Sequence, residues 1–127
     1  MGGFLHTAYR ITDPESSRAF YGTLGMTVRR EVPFVRNGVP ETHYFLGFAD
    51  QDEVLQLTFI HDGRTYELGT GYGHMAVQVA SLSDALAALE KQGVQPEAPP
   101  FRVIEDSPLI CFVRDPDGYP VELFDGS

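Results

Sequence analysis

Basic residues are scarce in this sequence. Nine Lys and Arg stand against eighteen Asp and Glu, for a formal net charge of -9 and a pI near 4.7. Arg29 and Arg30 are the only adjacent basic pair, so no basic patch offsets the acidity. Such a chain repels phosphate backbones and anionic lipid, which argues against nucleic acid and membrane surfaces as partners and favours solubility. Cysteine is nearly absent. Cys111 stands alone, so no internal disulfide can form, and its apolar run 109–113 marks it as a buried small hydrophobe rather than a reactive thiol. No apolar run reaches membrane-spanning length, and the first residues lack a charged stretch followed by an apolar one. The expected location is the cytoplasm. Local ligand clusters of the C-x-x-C kind are missing too, so any metal site must be assembled from distant segments.

What is present suits one globular domain. At 127 residues, 43% hydrophobic and 21% charged, the chain can bury a real core and is not of disordered composition. Its order repeats. In the first half, residues 4–11 alternate as a strand, with His6, Ala8 and Arg10 on one face. Thr12-Asp13-Pro14-Glu15 is a helix start, with Thr12 as the expected cap, and the helix runs to about Leu24 with Gly25 as its stop. Strands are expected near 26–31, 42–49 and 53–60, with a turn at Asn37-Gly38. In the second half a strand at 74–79 precedes a helix capped by Ser81 and Asp84. Leu82, Ala85, Leu86 and Leu89 form its apolar face and Gly93 ends it. Strands follow at 109–114 and 119–124 around the turn Asp115-Pro116-Asp117-Gly118, and a short one near 101–104 would complete the set. The fold class is therefore α+β, with two tandem β-α-β-β-β modules, about 4–61 and 73–124.

His6 opens the first module and Gln56 lies on its last strand, 50 residues on; His74 opens the second and Glu122 lies on its last strand, 48 residues on. All four side chains can ligate a divalent metal through imidazole nitrogen or through amide and carboxylate oxygen. Strand alternation sets Val54, Gln56, Thr58 and Ile60 opposite Leu55, Leu57 and Phe59, and Pro120, Glu122 and Phe124 opposite Val121 and Leu123. Each half can pack one face on its helix and present a metal ligand on the other. The ordinary alternative is a hydrogen-bonded histidine on a sheet and a solvated carboxylate or amide. His43 and His61 are read as surface histidines, and Phe34, Tyr44, Phe48 and Tyr72 as core or pocket residues.

Four stretches carry a resemblance to a known family: His6-Thr7-Ala8-Tyr9-Arg10, the run 20–26 (FYGTLGM), the run 66–74 (YELGTGYGH) and the run 115–123 (DPDGYPVEL). They resemble the vicinal oxygen chelate superfamily and, within it, the short bacterial glyoxalase I enzymes, the lactoylglutathione lyases. The resemblance implies curved mixed sheets and metal ligands at His6, Gln56, His74 and Glu122, with Glu122 also the catalytic base and Arg10 a contact to the thiol. It implies one divalent ion, Ni2+ or Co2+ in preference to Zn2+, and glutathione or another small thiol as co-substrate. It also implies a homodimer whose metal lies between subunits. The reaction implied is isomerisation of the hemithioacetal of a 2-oxoaldehyde such as methylglyoxal, in which the metal holds two adjacent oxygens and a carboxylate moves the proton.

The sequence departs from that family at three places. Gln56 stands where the family usually has Glu, which gives a ligand set similar to that of methylmalonyl-CoA epimerase. Ile60 and Ile104 stand where glyoxalases place Asn and Lys contacts to glutathione. Three alternatives stay open beside the lyase: a CoA-ester epimerase, an iron dioxygenase using His6, His74 and Glu122 as a facial triad, and a non-enzymatic binding protein of the bleomycin-resistance kind.

Overall fold

The computed structural model describes residues 1–127, which divide into two compact units, Met1–Glu67 and Leu68–Ser127. In the first unit β1 (Thr7–Ile11) is followed by α1 (Pro14–Thr23), β2 (Met26–Arg36), β3 (Val39–Phe48) and β4 (Glu53–Ile60). Its sheet runs β1-β4-β3-β2, parallel between β1 and β4 and antiparallel elsewhere. In the second unit β5 (Met75–Val79), α2 (Leu82–Glu90), β6 (Ile110–Arg114) and β7 (Pro120–Asp125) follow, with sheet order β5-β7-β6 and β5 parallel to β7. The fold is α+β with two mixed sheets and one helix per module.

Helix starts obey capping chemistry, with one correction. Asp13, not Thr12, caps α1. Its Oδ1 accepts the backbone N–H of Glu15 at 3.1 Å, and its Oδ2 accepts the Ser16 hydroxyl at 2.7 Å. The cap must directly precede the first helical residue, and Pro14 takes that first position because it has no N–H to leave unpaired. In α2 the Ser81 hydroxyl accepts the Asp84 N–H at 3.2 Å, as the sequence pattern requires.

β2 and β3 extend further than the sequence suggests. The turn Asn37-Gly38 has φ of 52° and 78°, the left-handed pair that matches strand twist, and pairing continues up to it at Arg36↔Val39. Pro33 does not break β2, because that strand is at the sheet edge and owes no outward hydrogen bond. Gly47 sits where the β3–β4 register shifts. A Cβ there would lie 2.8 Å from the Asp52 carbonyl oxygen, so no larger residue fits.

The second module lacks a full fourth strand. Residues 101–104 reduce to one bridge, Phe101↔Ile110. Pro99 and Pro100 bring no N–H to a ladder, and the chain then turns at once, with Ser107 Oγ donating to the Ile104 carbonyl at 2.8 Å.

Each core lies between a helix and one sheet face. Phe20 and Tyr21 of α1 are fully buried with Leu46 and Leu55, alongside Ile11 and Leu57. In the second unit Leu89 is buried with Cys111, Val113, Val121 and Leu123. Burial of a Leu or Phe side chain is worth roughly 1.5–3 kcal/mol, so these contacts dominate the stability of each unit. The opposite sheet faces hold the polar side chains considered next.

Candidate metal half-sites

The two modules present matched constellations. In the first, Ala8 of β1 lies opposite Gln56 of β4, and Phe45 of β3 lies opposite Gln56 on its other side. In the second, Ala76 of β5 lies opposite Glu122 of β7, and Phe112 of β6 opposite Glu122. His6 and His74 each stand one residue before a first strand, two before that alanine, and so share a face with Gln56 and Glu122 respectively. The ring contacts repeat as well. His6 meets Phe45 edge-on at 5.6 Å between centroids, and His74 meets Phe112 edge-on at 5.0 Å.

Within the second unit His74 Nε2 is 3.2 Å from Glu122 Oε1. His74 is 41% exposed and Glu122 15% exposed, so an accessible imidazole stands over a partly sheltered carboxylate. The turn into β7 is fixed by the buried Asp115, whose Oδ1 accepts the N–H groups of Asp117 and Tyr119 at 2.9 Å each. In the first unit the Arg30 guanidinium lies over the Phe45 ring, 4.1 Å from its centroid. Arg30 in turn grips Glu53 at 2.8–3.1 Å, and this bond holds the Glu53 carboxyl below the usual carboxylate range. These contacts fix the aromatic wall against which His6 stands.

Gln56 is the most constrained of the four. Its Nε2 lies 2.9 Å from Thr58 Oγ1 and 3.1 Å from His43 Nδ1. His43 Nε2 is 2.8 Å from Glu41 Oε2, and Arg36 Nε is 3.2 Å from Glu41 Oε1. His43 is therefore no surface histidine; it is 17% exposed and bonded at both ring nitrogens. The signal for it was in the alternation, since Glu41, His43 and Phe45 share the Gln56 face while Thr42, Tyr44 and Leu46 face the other way. His61 is exposed, with Nε2 2.8 Å from Thr42 Oγ1. Phe34, one of the pocket candidates, meets His43 edge-on at 4.6 Å.

Arg10 lies two residues beyond Ala8 on this face, its guanidinium 6.0 Å from the Tyr66 ring centroid. With Gln56, Ile60, Arg36 and Arg64 it lines a cavity of about 520 Å³. Glu41 and His43 line the same cavity, and Arg36 is paired with Glu41 and Arg64 with Asp62. Ile104 is 68% exposed at the turn after the Phe101 bridge.

Neither unit gathers three or more His, Cys, Asp or Glu side chains around one point. Each supplies two of the four expected ligands. The donor chemistry is nonetheless coherent: two imidazoles, one carboxylate, and one amide whose nitrogen is already engaged, which leaves its oxygen to ligate.

The sequence matches the Glyoxalase/Bleomycin resistance protein/Dioxygenase superfamily over residues 3–123. It is 38% identical to the lactoylglutathione lyase of Neisseria meningitidis serogroup A over 127 residues, covering 94% of this chain and 87% of that protein. It is 36% identical to a putative lactoylglutathione lyase of Brassica oleracea, covering 94% of this chain but spanning only 43% of that longer protein. Among solved structures, the trypanothione-dependent glyoxalase I of Leishmania major superposes with a TM-score of 0.75 at 31% identity, over 99% of this chain and 88% of that one.

Proposed function

Since the chain belongs to the Glyoxalase/Bleomycin resistance protein/Dioxygenase superfamily, we propose that it is a metal-dependent enzyme of the lactoylglutathione lyase type. It isomerises the hemithioacetal of a 2-oxoaldehyde and a small thiol to the thioester of a 2-hydroxy acid. The observation that carries this reading is the duplicated half-site: a histidine ahead of the first strand, an oxygen donor opposite the alanine two residues on, and an aromatic edge behind the histidine.

His6 and His74 give imidazole nitrogens, Gln56 an amide oxygen and Glu122 a carboxylate oxygen to one divalent cation. When bound, that cation supplies Lewis acidity toward two neighbouring substrate oxygens. The residues do the rest. Glu122 is the one carboxylate of the set, so it takes the carbon-bound proton and returns it to the adjacent carbon. Gln56 gives its oxygen without adding charge, which leaves metal and ligands at a net +1 suited to an anionic transition state. Ni2+ or Co2+ is favoured over Zn2+.

Arg10 lines the cavity beside Gln56 and suits a carboxylate on the thiol carrier. With Ile60 in that cavity, glutathione is one candidate and another small acidic thiol a second. The active unit is a homodimer in which His6 and Gln56 of one subunit face His74 and Glu122 of the other. A cytoplasmic location fits this chemistry, and no helix is long and apolar enough to cross a membrane.

The test is reconstitution. Metal-free protein is loaded with Ni2+, Co2+ or Zn2+ and assayed with methylglyoxal and several thiols. Turnover with at least one thiol, lost in His74→Ala together with stoichiometric metal, is the expected result. Metal retained by His74→Ala after dialysis against a chelator would overturn the ligand assignment.

A further inference from the structure

We infer that His43, locked by Glu41, is a positioning residue that turns the Gln56 amide so that its oxygen, and not its nitrogen, faces the metal side. The inference rests on the reading of Gln56 as a ligand and goes beyond it, because it says what makes a glutamine work there.

An amide is two-ended. Its oxygen accepts and can ligate a cation; its NH2 group only donates and repels one. A glutamine ligand is useful only if held one way round. Here both N–H groups are engaged, toward Thr58 Oγ1 at 2.9 Å and His43 Nδ1 at 3.1 Å. The Thr58 hydroxyl could serve either end of the amide, so it does not decide the orientation. His43 does. Its Nε2 stands 2.8 Å from Glu41 Oε2, and in the tautomer that donates from Nε2 to this carboxylate, Nδ1 offers a lone pair. Only the donor end of Gln56 can meet that lone pair. Glu41 is 7% exposed and its other oxygen is taken by Arg36, so the proton-accepting end of the relay is held in place.

The second module supplies an internal control. Its register partners match those of the first: Phe45↔Gln56 and His43↔Thr58 correspond to Phe112↔Glu122 and Ile110↔Phe124. Beside the carboxylate ligand, the His43 and Thr58 positions are thus apolar. A carboxylate has two equivalent oxygens and needs no orienting. The polar relay occurs only beside the amide, where orientation matters.

The experiment measures metal affinity by isothermal titration on metal-free protein, with the fold checked by circular dichroism. His43→Leu removes the acceptor; Thr58→Val is an isosteric loss of the second one. Outer contacts of this kind typically set affinity by about 10- to 100-fold. We expect His43→Leu to weaken binding on that scale, Thr58→Val to weaken it by less, and His43→Leu with Gln56→Glu to recover most of the loss, because a carboxylate needs no orienting. Wild-type affinity in His43→Leu, while Gln56→Ala binds weakly, overturns the positioning role and leaves the ligand reading standing. Wild-type affinity in Gln56→Ala overturns both. A double variant as weak as His43→Leu alone shows a merely structural loss and also overturns the inference. If His43→Leu does not fold, Glu41→Gln takes its place, because an amide there can also donate to the ring and no longer fixes the lone pair on Nδ1: weakened metal affinity supports the inference, and unchanged affinity overturns it.

Discussion

Glu122 and Gln56 hold equivalent places in their strands, each opposite an alanine and a phenylalanine, yet only Glu122 can exchange a proton. Glu122→Gln would keep an oxygen donor and remove the base. Turnover at saturating metal should fall by at least ~10²-fold, the scale of a lost general base, and metal affinity should fall as well, because the apolar neighbours Ile110 and Phe124 do not orient an amide at this position. Metal analysis beside steady-state kinetics separates the two effects. Cys111 illustrates the opposite case, a reactive residue type made inert. It is fully buried in β6, and burial, with a smaller contribution from Glu97, pushes its thiol up from the ordinary value. Native protein should resist iodoacetamide, while urea-unfolded protein is alkylated at once. Fast labelling of the folded chain would contradict the packing around β6.

Elements are tied together by carboxylates. Asp125, the last residue of β7, accepts the backbone N–H of Leu82 at the start of α2 at 3.0 Å and the Ser127 hydroxyl at 2.7 Å. The Leu82 N–H is the larger cause, and together they hold its carboxyl below the usual range. Asp13 is lowered likewise at α1, chiefly by the Ser16 hydroxyl. A carboxylate with a depressed folded pKa contributes its full stability above the unfolded value and loses it as pH falls through the folded one. The midpoint of urea unfolding should therefore be flat near neutrality and drop below roughly pH 4. Asp125→Asn should lower the midpoint at pH 7 and flatten part of that acid slope. An unchanged slope would show that the tie between β7 and α2 is not the titrating contact.

These elements were legible in the sequence wherever one residue type forced a geometry. Asn37-Gly38 set the hairpin, Ser81 set the start of α2, and strict alternation set the faces of β4 and β7. The strand ends were less legible, because Pro33 reads as a breaker unless the edge position of β2 is known. So was the missing fourth strand of the second module, whose Val103 and Ile104 suit a strand but follow two prolines that supply no ladder donors. His43 was misread because its meaning lies in the cross-strand register, which brings Glu41, His43 and Gln56 together from two strands.

At the scale of the whole molecule the question is how two half-sites become one. Each module presents two of the four proposed ligands on one sheet face, and neither gathers three or more His, Cys, Asp or Glu side chains around one point. In the proposed homodimer, closed two-fold symmetry would set module one of each chain against module two of the other and make two equivalent sites. Sedimentation should then give a dimer at micromolar concentration. A sharper test uses complementation. His6→Ala and His74→Ala should each be inactive as pure proteins, because every site in either dimer lacks one histidine. Refolded together at equal amounts, about half of the dimers pair one of each variant. In such a dimer one site has lost both histidines, and the other has both His6 and His74 intact. Activity should return to about a quarter of the wild-type value. Sites built within one chain would give no recovery at any mixing ratio, because every site would still miss a ligand. Recovery near one quarter, with a matching fraction of bound metal, is the outcome expected of a site shared between subunits.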